Sequence, residues 1–418
     1  MAFRSRHPGL PLTEEEEALL VFAGSGVTGP ALADLVYQRG QGGTILAGLT
    51  GRTVPSGDAI QGCGLLVLNP ESTYYVMRPR DMPPEEVAGL ISLAERGEYV
   101  EAYRRTRVRI GDGSPRPPLE PFFNIDCNRW SLYDRSATYL LPVADLTVLY
   151  INALLEVFNE DNGLYPLDER ACFRPAGVKR FARSRGGHLA DDLRRERALT
   201  IQQLETLVAE FAAAEVGMMI QNIGLMTQAL GLGGFPHWAA HPYGWFQRLG
   251  FRMAVLPASR YLGMNPALRV LARLLGRDQP VPCVMGLEAD GKPLLKTHCP
   301  PYFESMEHAV LAVVDSKWGP DGIFRGGSDR GAWTEPDRIV REAPGPSDAA
   351  IEATIAYCEY VHRRYGRFPA YRPPLRTLLG FQANHVDVAF YDRFYRSEAL
   401  TSLQRTHLRD WHDREEGT

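Results

Sequence analysis

The 418-residue sequence contains no pair of cysteines in metal-ligand or redox spacing. Its six cysteines, Cys63, Cys127, Cys172, Cys283, Cys299 and Cys358, stand singly, which suits reduced thiols in a cytoplasm better than a disulfide framework. Basic charge is not in surplus. The 46 Lys and Arg against 50 Asp and Glu give a net charge of −4, whereas a nucleic-acid partner demands a basic face. An uninterrupted apolar run of about 18 residues, the mark of a membrane span, is missing. The opening MAFRSRHPG lacks the apolar core of a secretory signal. A nucleotide-triphosphatase phosphate loop (G-x-x-x-x-G-K followed by Ser or Thr) is also missing. With 44% hydrophobic and 23% charged residues, the composition is that of a globular protein with one large domain or two.

What is present concentrates in Gly51–Gln61, GRTVPSGDAIQ. Arg52, the Pro55-Ser56 pair, Gly57 and Gln61 fall within this short stretch. Glycines let backbone approach a ligand closely, and a hydroxyl near a guanidinium offers several donors to a phosphate. Arg4-Ser5-Arg6 offers a second such set, two guanidinium forks around a hydroxyl. Both suit a planar, phosphate-bearing cofactor, although a polar N-terminal triplet is also common at ordinary surfaces.

The periodicities predict a frame around that stretch. Leu12–Ala23 reads as a capped surface helix, with Thr13 as N-cap, Glu16 completing a capping box, and a run of glutamates at the positive end of the dipole. Gly64–Leu68 and the segment after Asn69-Pro70 predict two strands joined by a turn, and 83–105 a surface helix pair. Pro142–Phe158 is apolar at helical spacing and predicts a core helix. Ile201–Leu230 is the longest helical pattern and is apolar on most sides, which predicts burial on most sides or a place in a dimer interface. Gly231-Leu232-Gly233-Gly234 ends it. Val281–Leu287 and Pro293–Lys296 predict strands, and Ser347–Tyr365 a helix capped by Ser347 or Asp348. The aromatic tail Asn384–His412 is expected to pack across the core or a partner, with His407 and His412 as surface or interface residues.

Smaller constellations carry alternative chemistry. His237, Trp238 and His241 follow the glycine turn. A histidine there can exchange a proton beside hydride transfer, because its pKa lies near neutrality; packing of His237 on Trp238 is the plainer reading. His237 and His241 with His298 and Cys299 have the residue types of a tetrahedral metal site, but Pro236 and Pro242 bracket the first pair and disfavour a helix there. Cys299 beside His298 has the residue types of a nucleophile and base. Asn124, Asp126, Cys127, Asn128 and Trp130 read first as a turn and second as a substrate-contacting loop.

Four segments occur in a telling order: Arg4-Ser5-Arg6; the helix Leu12–Ala23 running into Gly26-Val27-Thr28; Arg52 with Pro55-Ser56-Gly57 and Gln61 ahead of a strand; and the helix Ala214–Leu230 running into the GLGG turn. Together they resemble the FMN-dependent nitroreductase superfamily, nearest its thiazoline/oxazoline dehydrogenase-like branch. The resemblance implies an α+β fold with a mostly antiparallel sheet and long central helices. It implies a homodimer with FMN at the interface, built from a core of residues 1–110 and 198–344, a helical insertion at 111–197 and a C-terminal extension at 345–418 that packs on core or partner. By position, Arg4, Ser5 and Arg6 would hold the phosphate. Pro55, Ser56, Gly57 and Gln61 would approach the flavin from the other subunit, and Arg52 would help to retain its phosphate. Gly233 and Gly234 would present backbone to the ring, with His237 as the catalytic candidate. The implied reaction is hydride transfer between flavin and a small conjugated or heterocyclic substrate, with NAD(P)H one candidate electron donor. Ala59 stands where the family usually carries Asn, which keeps open a non-catalytic member that binds a ligand or a partner in the same cleft.

Overall fold

The computed structural model describes residues 3–5, 7–30, 50–57, 60–115, 136–192, 198–238, 242–322, 334–335, 337, 345–377 and 379–412. In chain order the strands are β1 (Val27–Pro30), β2 (Thr50–Arg52), β3 (Cys63–Leu68), β4 (Ser72–Val76), β5 (Arg107–Asp112), β6 (Thr138–Asp145), β7 (Tyr165–Asp168), β8 (Arg174–Pro175), β9 (Ala198–Thr200), β10 (Gly233–Trp238), β11 (Arg252–Pro257), β12 (Pro280–Ala289), β13 (Lys292–Lys296), β14 (Leu375–Arg376) and β15 (Leu379–Asn384). The fold is α+β. Its main sheet runs β10-β15-β6-β3-β4-β5 with every neighbour antiparallel, and β14 adds to the Asp145 end of β6. A second antiparallel sheet is β11-β12-β13, and a third, β8-β7-β9, contains the parallel pair β7–β9.

The apolar run of β3 follows from burial on both faces. Successive strand residues point to opposite sides. Leu65 and Val67 join the core under the helices, while Leu66 and Leu68 pack with Trp245 and Phe246 of the helix Pro242–Arg248. The same holds for β6, whose eight residues are all buried. This corrects the expected helix over Pro142–Phe158: residues up to Asp145 are strand, and the helix is Leu146–Val157. A continuous apolar run is the pattern of a doubly covered strand as much as of a buried helix. Asp145 makes the switch, because its side chain accepts the Thr147 N–H and caps the helix.

β6 comes from the stretch expected as an insertion, and β15 from the expected C-terminal extension. Both are interior strands of the main sheet, so these segments belong to the core rather than outside it. The N-terminal helix, Glu14–Ser25, carries the predicted capping box between Thr13 and Glu16. It is not a plain surface helix, since Glu16 and Glu17 are buried. Glu14 pairs with Arg104 and Arg107; Glu17 accepts from Asn69, Thr138 and Tyr103; Glu16 meets His385 and His407. Gly24 lets this helix lie against the long helix Ile201–Ala229, because a Cβ there would stand 2.8 Å from Ile223. Among the described residues, no helix is long and apolar enough to cross a membrane.

Candidate functional site

The long helix starts on Thr200, whose hydroxyl accepts from Gln203 N in a capping box, and Gly231, at φ 75°, turns the chain beyond its end. Its middle carries the loop that follows β2. Thr53 donates its N–H to Gly26 O at 3.0 Å, and Asn222 of the helix donates to Thr53 O at 2.9 Å. Ser56 Oγ donates to Glu215 Oε2 at 2.7 Å and accepts the Gln61 N–H at 2.8 Å. Gln61 adopts φ 53°, uncommon for a residue with a side chain, and its amide donates to Thr50 O at 3.2 Å. Glu215 Oε1 also accepts from Cys63 N at 3.3 Å. One buried carboxylate thus gathers the Ser56 hydroxyl, the loop and the start of β3.

Arg52 supplies the countercharge. Its Nη1 lies 3.6 Å from Glu215 Oε1, and each side chain is only 3% exposed. Burial pulls the guanidinium's pKa down while Glu215 works against that pull. Arg52 Nε and Nη1 meet no hydrogen-bond acceptor among the described residues. Leaving a buried donor unsatisfied costs about 1–3 kcal/mol. Cys63 is no nucleophile here: burial, and then the charge of Glu215, push its thiol well up.

A second charged layer fixes the carbonyls of the loop's end. Arg78 donates to Asp81 (Nε, 2.5 Å; Nη2, 3.0 Å) and, through Nη1, to Gly62 O at 3.1 Å and Asp145 Oδ2 at 3.4 Å. Arg80 donates to Ile60 O at 2.8 Å, and burial lowers its pKa to about 10. Burial would raise Asp145, but His298, Arg78 and Thr147 outweigh it and hold the carboxyl down at about 2. Arg78 is the nearer countercharge, since His298 Nδ1 stands 3.8 Å away, beyond hydrogen-bond reach. Burial also lowers the His298 pKa, while Asp145 works against that shift.

The other predicted residues are dispersed. Arg4 is exposed, and Ser5 Oγ accepts from His7 N at 3.1 Å. Arg6, Ala59 and His241 lie outside the described residues, as does the cluster Asn124, Asp126, Cys127, Asn128 and Trp130. Gly57 rests near Leu149 and Phe211. Gly233 and Gly234 lie in β10, paired with Asn384 and Ala383. A Cβ on Gly234 would come within 2.6 Å of the Phe381 ring, so packing within the sheet already requires glycine there. His237 and Trp238 extend the same strand; their side chains lie outside what is described. Ser56 sits at the level of Glu215, while the glycines follow position 229. That separation is about 21 Å of helix at 1.5 Å per residue, so one protomer does not bring the loop and the glycine turn together.

Cys299 is fully buried, and burial pushes its thiol up to about 12. This corrects its reading as a nucleophile. An apolar recess between the N-terminal helix and the helices Pro84–Glu95 and Tyr99–Thr106 is lined by Val21, Phe22, Leu90 and Tyr99 and, among the described residues, by no charged one.

The long helix departs from the expected burial on most sides. Leu207, Phe211, Met218 and Leu225 are 47, 52, 37 and 54% exposed. With Ala214, Gln221 and Gln228, also exposed, they follow one another at alternating spacings of four and three. That is the a/d spacing of a coiled-coil seam. No protein-family model matches this chain, and neither does any curated protein.

Sequence reasoning missed Glu215, Arg78 and Asp145. A signal existed for the first. Glu215 falls on the same helical face as buried Val208, Ala212 and Met219, and a carboxylate on a buried face needs a cation.

Proposed function

We propose that this chain is an FMN-dependent oxidoreductase of nitroreductase-like fold, acting as a homodimer to transfer hydride between flavin and a small conjugated or heterocyclic substrate. The exposed seam on the long helix carries the reading, because it gives two copies a way to meet. Pairing across a two-fold axis is self-complementary. With the axis at Met218, the midpoint of the seam, Phe211 of one copy faces Leu225 of the other, and position 231 of one falls opposite position 205 of the other. The partner's glycine turn then stands about six residues along the helix from Phe211, roughly 9 Å. Gly57 rests beside Phe211, so this pairing would bring that loop and the partner's turn towards one shared cleft.

The residues present suit the group. Arg52 Nε and Nη1 are buried donors that meet no acceptor among the described residues, so Arg52 would meet the phosphate, while the Ser56 hydroxyl stays committed to Glu215. FMN supplies the hydride chemistry when bound. This chain's part is to bind it, orient it and close water out between two copies.

The test loads purified protein with FMN, desalts it, and weighs what heat releases by mass spectrometry, with sedimentation run in parallel. One flavin per chain on a dimer is expected. Desalted dimer that carries no flavin overturns the cofactor, and a flavin-loaded monomer overturns the shared site.

A further inference from the structure

Three segments remote in sequence meet at the first turn of the N-terminal helix. Glu16 is anchored there, its Oε2 accepting the Thr13 N–H at 2.8 Å. His385 directly follows β15, and His407 lies on the C-terminal helix Ser402–His412. His385 Nε2 stands 3.3 Å from Glu16 Oε2, and His407 Nε2 stands 3.6 Å from Glu16 Oε1. His407 Nε2 and His385 Nδ1 are 3.0 Å apart, with ring planes 17° from parallel and centroids separated by 5.0 Å. Those values describe two rings meeting edge to edge, nitrogen to nitrogen. The Glu16 and His385 side chains are 7% and 3% exposed and His407 11%.

Glu16 Oε1 accepts no hydrogen bond from any described residue. A buried carboxylate with an unused oxygen, beside two imidazoles, concentrates lone pairs where a cation is needed. We propose that Glu16, His385 and His407 bind a divalent first-row transition ion that fastens the C-terminal helix to the core. Two imidazoles and a carboxylate are the donor set of zinc and non-haem iron sites. Donors about 2.0–2.1 Å from a tetrahedral ion stand roughly 3.3 Å from one another. Here one donor atom from each residue lies within 4.8 Å of the other two, so side-chain rotation suffices to close the set. Binding displaces the proton held between the imidazoles, and the fourth position falls to water. The ion sits where the tail crosses the bend: a Cβ on Gly231 would stand 3.0 Å from His407 Cβ.

The test uses the full chain and zinc alone. Chelator-treated protein is titrated with Zn²⁺, followed by calorimetry, by melting temperature, and by trypsin cleavage of the tail. One equivalent bound, a raised melting temperature and slower tail cleavage are expected. Glu16→Gln and His407→Ala are each expected to weaken binding at least about tenfold. His308→Ala, which removes an exposed histidine 3.3 Å from Glu304, leaves it unchanged. Wild-type protein that neither binds zinc nor melts higher with it overturns the site, needing no variant to fold. So does a folded His407→Ala that binds as well as wild type.

Discussion

Replacing Glu215 by glutamine removes one charge and almost no volume. Ser56 and Cys63 donate to different oxygens of Glu215, so glutamine keeps one of these acceptors and turns its NH2 towards the other partner; the change removes the charge facing Arg52 together with one hydrogen bond. At an effective dielectric constant of about 20, opposite charges 3.6 Å apart attract by roughly 4.6 kcal/mol. Both side chains are almost wholly buried, so water cannot take over from the lost carboxylate, and breaking a buried pair from one side costs about 3–5 kcal/mol. Urea unfolding followed by tryptophan fluorescence should show a loss of that size. The decisive comparison is a cycle with Arg52→Met. Because each single change strands a buried polar partner, the double variant Arg52→Met, Glu215→Gln should lose less than the two single losses combined. A Glu215→Gln loss under about 1 kcal/mol, the scale of an exposed pair, or strictly additive losses, would show that Arg52 is neutralised elsewhere and refute the argument.

Met218→Glu places two like charges at the proposed two-fold axis; sedimentation should show the dimer weakened by at least about a hundredfold, roughly 3 kcal/mol, and an unchanged dimer rules out the seam. Acid stability should reflect Asp145, whose folded carboxyl is held at about 2 against an ordinary 3.8. A depressed carboxyl stabilises the fold above its unfolded pKa and loses that contribution as pH falls through the folded one, so about 2 kcal/mol should disappear between pH 4 and 2. Asp145→Asn should flatten that part of the profile, and a slope identical to wild type contradicts the assignment. Gly64→Ala sets a Cβ 2.7 Å from the buried Tyr75 ring; calorimetry should register an overpacking cost of about 1–3 kcal/mol, and a neutral result means that Tyr75 can move aside.

Signals confined to one turn of chain were legible. Thr13 with Glu16 and Ser347 with Ala350 cap the helices that the sequence predicts. Gly231 takes the positive φ expected beyond a helix end. The hairpin of β3 and β4 turns at Asn69-Pro70, where Asn69 Oδ1 accepts the Ser72 N–H. Signals that depend on a distant partner were not legible. Pro142–Asp145 became strand because β3 and β14 flank it, a fact absent from its own pattern. Ser56 was picked out for its hydroxyl, but its partner Glu215 lies far along the chain. The exposed seam was present as spacing, hidden by the buried apolar residues on the helix's other faces. His385 and His407 gave no signal, because their acceptor is a glutamate in a run that reads as solvated.

That glutamate run has a consequence for synthesis. The N-terminal helix is synthesised long before residues 385 and 407, which Glu16 faces. Until they emerge, the nascent chain carries Glu16 without these partners. Loss of the helix Ser402–His412 should therefore be felt far away in sequence, as a loosened first turn around Glu16, before the central sheet registers any change.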